Sequence, residues 1–169
     1  MFFKTIIVVI ASLLLIDCTQ STNNQNGENE FGIYLLLDKS ITTSEAKTIN
    51  LGLLKLQTEP IICLDDIISY DWSTHTIDLQ TEAFERFKSL DTMNVSTYGL
   101  PFLVLVGNER IYLGNIYPMY SSLYHFDLPT INVAPFIDMK IEKPLDEFED
   151  TRTDSRIFEV LKNNNKLKN

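Results

Sequence analysis

Apolar and polar positions follow several distinct rhythms along the chain. Behind Lys4, residues Ile6 to Ile16 form an unbroken run of apolar and small side chains, and Thr19 to Glu30 then contains no apolar side chain at all. The run is about half of the roughly 20 residues that a membrane-spanning helix needs. With a basic residue in front of it, it has the length of the apolar core of an export signal. The polar stretch after it has nothing to bury against its ordering entropy, so it reads as a disordered tether.

Beyond residue 30 the pattern becomes that of a folded domain. Gly32 to Leu37 reads as a buried strand. Thr43 or Ser44 can cap a short helical turn reaching Ile49, and Leu51 to Leu56 reads as a second extended piece that Glu59-Pro60 ends. Ile67 to Leu79 alternates on both sides of Ser73-Thr74, which predicts a hairpin. With a two-residue loop, Trp72 faces His75, Tyr70 faces Ile77 and Ile68 faces Leu79, while Ser69, Asp71, Thr76 and Asp78 share the opposite face. Ser-Thr is not the favoured two-residue loop, so a longer one is the alternative.

Thr81 offers a cap to a helix over about 82–90, where Ala83, Phe84, Phe87 and Leu90 recur at helical spacing. Gly99-Leu100-Pro101 leads into residues 102–106, which are apolar throughout and therefore expect cover on both faces, as a central strand has. Gly107-Asn108 turns that strand into Arg110–Gly114. Short strands are expected around 130–134 and 138–142, and Asp154 can cap a closing helix that buries Ile157, Phe158 and Leu161. The fold class is thus α+β: one domain over residues 31–162, with a mixed or antiparallel central sheet built from hairpins and two or more packed helices. Residues 1–17 read as the signal, 18–30 as Cys18 and the tether, and 163–169 as a frayed polar tail.

The net charge is -9 at pH 7. Cleaving off residues 1–17 removes Lys4 together with Asp17 and leaves that charge unchanged. An acidic exterior argues against nucleic acid, whose binding needs cations to displace counterions. Two cysteines are present, Cys18 and Cys63. If Cys18 carries lipid, Cys63 has no intrachain partner. If it does not, a Cys18–Cys63 bridge is open to the chain in an oxidising compartment. The apolar neighbours of Cys63 favour a buried, inert thiol.

Leu15-Ile16-Asp17-Cys18 resembles the bacterial lipoprotein box, with Asp17 standing where that pattern has a small residue. The resemblance implies a diacylglyceryl group on Cys18 and a protein anchored at the cell envelope through its N-terminal lipid; an ordinary cleaved signal and a soluble secreted protein is the alternative. Ile67–Ile77, Gly99–Gly114 and the acidic Asp150–Arg156 segment look like stretches of small exported bacterial proteins of uncharacterised function, a likeness that carries no activity or site residue. Gly99–Asn108 also has the proline-then-hairpin grammar of thioredoxin-like folds. No C-x-x-C precedes it, so it implies no redox chemistry.

Candidate chemistry is sparse. His75 near Asp71 is the strongest pair, since a carboxylate can orient an imidazole for acid–base work. The hairpin register opposes it, placing His75 with Trp72 on the apolar face and Asp71 on the other. Ser121 and Ser122 lack a nucleophile-elbow sequence. Asp65, Asp66, Asp71 and Asp78 do not have the spacing of a calcium loop, nor do Asp146, Glu147, Glu149 and Asp150. Both groups read as solvated acidic faces, and no metal or cofactor is implied. Asn94-Val95-Ser96 matches a glycosylation sequon, accidental in a bacterial lipoprotein.

The run Tyr117 to Phe126 holds Tyr117, Tyr120, Tyr124 and His125. With Trp72 it offers aromatic contact area for an envelope protein, peptide or glycan, or else closes one end of the sheet. The leading expectation is a non-catalytic binding or interaction module. An envelope hydrolase using His75, Asp71 and perhaps Ser121, and a structural or assembly protein, are the alternatives.

Overall fold

The computed structural model describes residues 30–92, 98–118, 127–133 and 139–168. The signal run, Cys18, Asn94, Tyr120, Ser121, Ser122, Tyr124 and His125 lie outside them. Eight strands form one mixed sheet: β1 (Phe31–Leu35), β2 (Ile62–Cys63), β3 (Ile67–Asp71), β4 (Thr76–Leu79), β5 (Leu100–Val106), β6 (Glu109–Pro118), β7 (Thr130–Val133) and β8 (Met139–Glu142). Among the described residues three helices accompany them, α1 (Thr43–Ala46), α2 (Thr81–Thr92) and α3 (Ser155–Asn163). The chain is an α+β domain, as its rhythms predict.

The strand order is β2-β1-β5-β6-β7-β8-β4-β3, antiparallel throughout except for the parallel pair β6–β7. The two edge strands, β2 and β3, are joined by the single 3-10 turn Leu64–Asp66. Ile62 and Ile67 at the ends of that turn are both fully buried in one core. Only a sheet curled nearly into a barrel brings its first and last strands together in this way.

The residues 102–106 strand lies inside the sheet, and its two faces meet different cores. Phe102 and Val104 point into the main cluster with Ile33, Ile131 and Ile141, while Leu103 packs on the other side with Leu36, Ala46 and Leu113. That second layer is held by the segment after β1. The cap of α1 is Thr42, one residue earlier than expected, because Glu45 completes a capping box with it. Leu51–Leu53 is a 3-10 turn rather than a strand: the Asn50 side chain accepts from Gly52 N–H and starts the turn. Of the extended piece expected there, a bridge between Leu36 and Leu56 remains.

The tail also differs from expectation. It docks instead of fraying: Tyr70 N–H donates to Lys166 O at 2.6 Å, and Lys168 N–H donates to Tyr70 O at 2.9 Å, so the tail lies parallel to β3. Asp154 does cap α3, accepting from Arg156 N–H, and the helix buries Ile157, Val160 and Leu161.

Candidate functional site

The β3–β4 hairpin carries the chemistry-bearing residues. Its ladder pairs Tyr70 with Ile77 and Asp71 with Thr76, as the alternation gives near the loop. A bulge between Ile67 and Ser69 pairs Leu79 with Ile67 and leaves Ile68, expected opposite Leu79 on the apolar face, exposed. The loop is longer than two residues, running from Trp72 to His75. Asp71 sets it: one carboxylate oxygen accepts from Ser73 N–H, Ser73 Oγ–H and Thr74 N–H. These bonds, led by the Ser73 hydroxyl, hold the Asp71 carboxyl below the usual range. His75 closes the loop with φ of 55°, in the left-handed region. Four-residue loops built on a type I turn often end this way.

That conformation turns the imidazole inward. His75 is 4% exposed, its Nδ1 is 2.9 Å from the Tyr70 hydroxyl, and its ring lies against Trp72 and Tyr70. Trp72 is half-buried and makes an edge contact with Phe158 of α3, with ring centroids 5.1 Å apart. Burial holds the Tyr70 hydroxyl well above its usual pKa, so it stays protonated, and it shares one hydrogen bond with Nδ1.

Behind these rings sits Arg152, which is 6% exposed. Its Nε and Nη2 grip the two oxygens of Asp150 at 2.7 and 2.6 Å, and Nη1 donates to Ile141 O at 2.6 Å. Tyr112, also buried, feels the same cation. Sequence reading assigned Arg152 and Tyr112 no role, and placed Asp150 on a solvated acidic face. Two-residue spacing between a carboxylate and an arginine was the available signal, but it is common on surfaces.

Desolvation, followed by the positive charge of Arg152, pushes His75 down to about 4. An imidazole of that basicity is neutral at pH 7 and lacks the poise of a general base near neutrality. His75 and Asp71 therefore share a hairpin but answer to different partners. Two of the other aspartates near the hairpin are likewise occupied locally: Asp66 accepts from Cys63 N–H and pairs with Arg86, and Asp78 accepts from Ser69 Oγ–H. Among the described residues, no three His, Cys, Asp or Glu side chains gather where they could hold a metal ion. Tyr117 is 1% exposed, so it is a core residue and offers no contact area.

Cys63 departs from the inert thiol expected of it. It is half-buried and disulfide-bonded. The chain's one other cysteine is Cys18.

No family model, no curated protein and no solved structure matches this chain.

The sealed histidine makes a pH prediction. Its folded pKa of about 4 lies below the ordinary 6.5. The fold therefore favours the neutral ring, and the stabilisation is complete above 6.5. It is lost as pH falls from there toward 4, a gap worth about 3 kcal/mol. Urea unfolding midpoints should drop steadily between pH 7 and pH 4. In His75→Asn, which tolerates positive φ but does not titrate, that slope should flatten even if the variant is less stable at pH 7. Equal slopes in parent and variant would show that His75 is not the titrating group.

Proposed function

We propose that this is an exported cell-envelope protein that acts as a non-catalytic binding or interaction module. The observation that carries the non-catalytic half is the separate engagement of the two residues a hydrolase would need. Asp71 has its carboxylate tied to its own loop, and His75 is buried against Tyr70 with its basicity suppressed. Trp72, half-buried at the hairpin tip, joins Tyr120, Tyr124 and His125 as the contact residues of this reading. The test is cross-linking in intact envelopes. The parent should give a discrete cross-linked species that Tyr120→Ala/Tyr124→Ala loses, and a parent that yields none overturns the proposal.

Export has a second support, because disulfides persist in oxidising compartments and Cys63 is in one. The same bond bears on the form exported. An intrachain bridge from Cys63 has only Cys18 to use, and a sulfur in a disulfide has no thiol left to take a diacylglyceryl group. A Cys18–Cys63 bridge would go with a soluble secreted form, and lipid on Cys18 with an anchored one. Metabolic labelling with a fatty-acid analogue separates the two. The bridged form takes no label, and maleimide modifies Cys63 only after reduction. The anchored form takes label that Cys18→Ser abolishes, and its Cys63 reacts without reduction.

A further inference from the structure

We propose that the outer edge of β3 is a strand-addition site, filled in this structure by the chain's own tail, and that its partner is an extended peptide alternating basic with apolar residues. The inference rests on the reading of the chain as an interaction module and supplies that module with a surface and a partner class.

β3 ends the sheet, and an edge strand presents a row of backbone donors and acceptors that templates another strand. Both outward groups of Tyr70 are taken by the tail, its N–H by Lys166 O and its carbonyl by Lys168 N–H. The tail also shows what the edge accepts beside backbone. Lys166 Nζ donates to Ile67 O at 2.6 Å, Leu167 packs against the main core, and Lys168 Nζ lies 3.8 Å from the Asp78 carboxylate. The occupant is thus basic, apolar, basic in order. Asp65 and Ile68 on the same stretch are exposed, so the tail leaves both an acidic and an apolar contact uncovered.

The end of α3 also places the tail. Asn165 adopts φ of 54°, its N–H donates to Lys162 O, and Lys166 N–H donates to Leu161 O. This is a Schellman arrangement, with asparagine in the left-handed position. A longer strand running along β3 keeps both Tyr70 bonds and adds Ile68, which is 54% exposed. The tail then acts as a pseudo-ligand that a better-matched peptide displaces.

Fluorescence anisotropy with a labelled Lys-Leu-Lys-Ile-Lys-Leu-Lys probe, and its glutamate counterpart as control, tests this on three proteins: the exported chain, the same chain ended after Asn165, and full-length Lys168→Pro. Proline removes the N–H that donates to Tyr70 and leaves Leu167 in place, so it loosens the tail even if truncation harms folding. If the tail holds the edge most of the time, loosening it raises apparent affinity for the basic probe by about tenfold. The glutamate probe stays unbound, and the Tyr70 amide regains slow hydrogen exchange when the basic probe is added. Equal affinities in all three proteins, equal binding of the two probes, or a Tyr70 amide indifferent to the probe overturns the site. A cross-linked envelope species that persists alongside that failure removes only the β3 edge, whereas loss of both removes the module reading itself.

Discussion

Phe102→Ala is expected to lower the free energy of unfolding by about 3–5 kcal/mol, measured by urea denaturation with an unchanged slope. The ring is fully buried on β5 and stands opposite Gly114 of β6 in the ladder. A Cβ at position 114 would fall 2.6 and 2.7 Å from the ring's Cε1 and Cε2, so the phenyl group lies directly over the glycine. Tyr112, on the same face of β6, meets Phe102 edge-on with centroids 6.3 Å apart. A glycine has no side chain to relax into the void that alanine would leave, and sheet backbone held on both sides collapses little. The reciprocal change, Gly114→Ala, overpacks the same spot and should cost about 1–3 kcal/mol. In the double variant the two losses should not add, because the new methyl occupies part of the space the ring vacated. Additive losses, or a Phe102→Ala loss under about 1 kcal/mol, would show that the ring is not what fills this part of the barrel.

The same strand shows why part of the fold was legible. Apolar side chains at every position from Phe102 to Val106 demanded two covered faces, and the structure supplies two cores. The β3–β4 register near the loop was legible too, since alternation fixes which residues face one another even when the loop length is wrong, but the bulge that turns Ile68 outward and pairs Ile67 with Leu79 was not. Loop length was not, because it depends on the Asp71 side chain and on His75 accepting a positive φ. Near-closure of the sheet left no local mark: β2 is two residues long, and β6–β7 pairing is parallel and made across an intervening segment. The tail is a case of the same kind. Nothing in an asparagine- and lysine-rich stretch announces a partner, yet a sheet edge elsewhere in the chain gives it one. At the candidate site, Trp72 and His75 could be placed on a common face from the pattern, whereas the charge behind them could not.

That charge gives the second large effect. Asp150→Ala should destabilise the protein by about 3 kcal/mol, because removing one partner strands a buried cation. Arg152 is 6% exposed, with its fork closed on the two Asp150 oxygens and its remaining bond on Ile141 O. Its wider surroundings are the rings of Tyr70, Tyr112 and His75, none of which carries a compensating negative charge at pH 7. The low end of the range for broken buried pairs applies because the Asp150 side chain is itself 34% exposed, so water replaces part of what it gave. The sign with pH follows from the hydrogen bonds that Arg152 donates, which hold the Asp150 carboxyl below its usual 3.8. Its contribution is complete above that value and is lost as pH falls through the lower, folded one. Acidification therefore weakens the parent in two stages, first as His75 resists charging and then as Asp150 is neutralised, and Asp150→Ala should lack the second. Replacing the cation as well, in Asp150→Ala/Arg152→Met, should recover most of the loss, since an apolar chain of similar reach has no charge to strand. A single variant as stable as the parent, or a double variant no better than the single one, would mean that water already satisfies Arg152 and that the pair does not hold the rings in place.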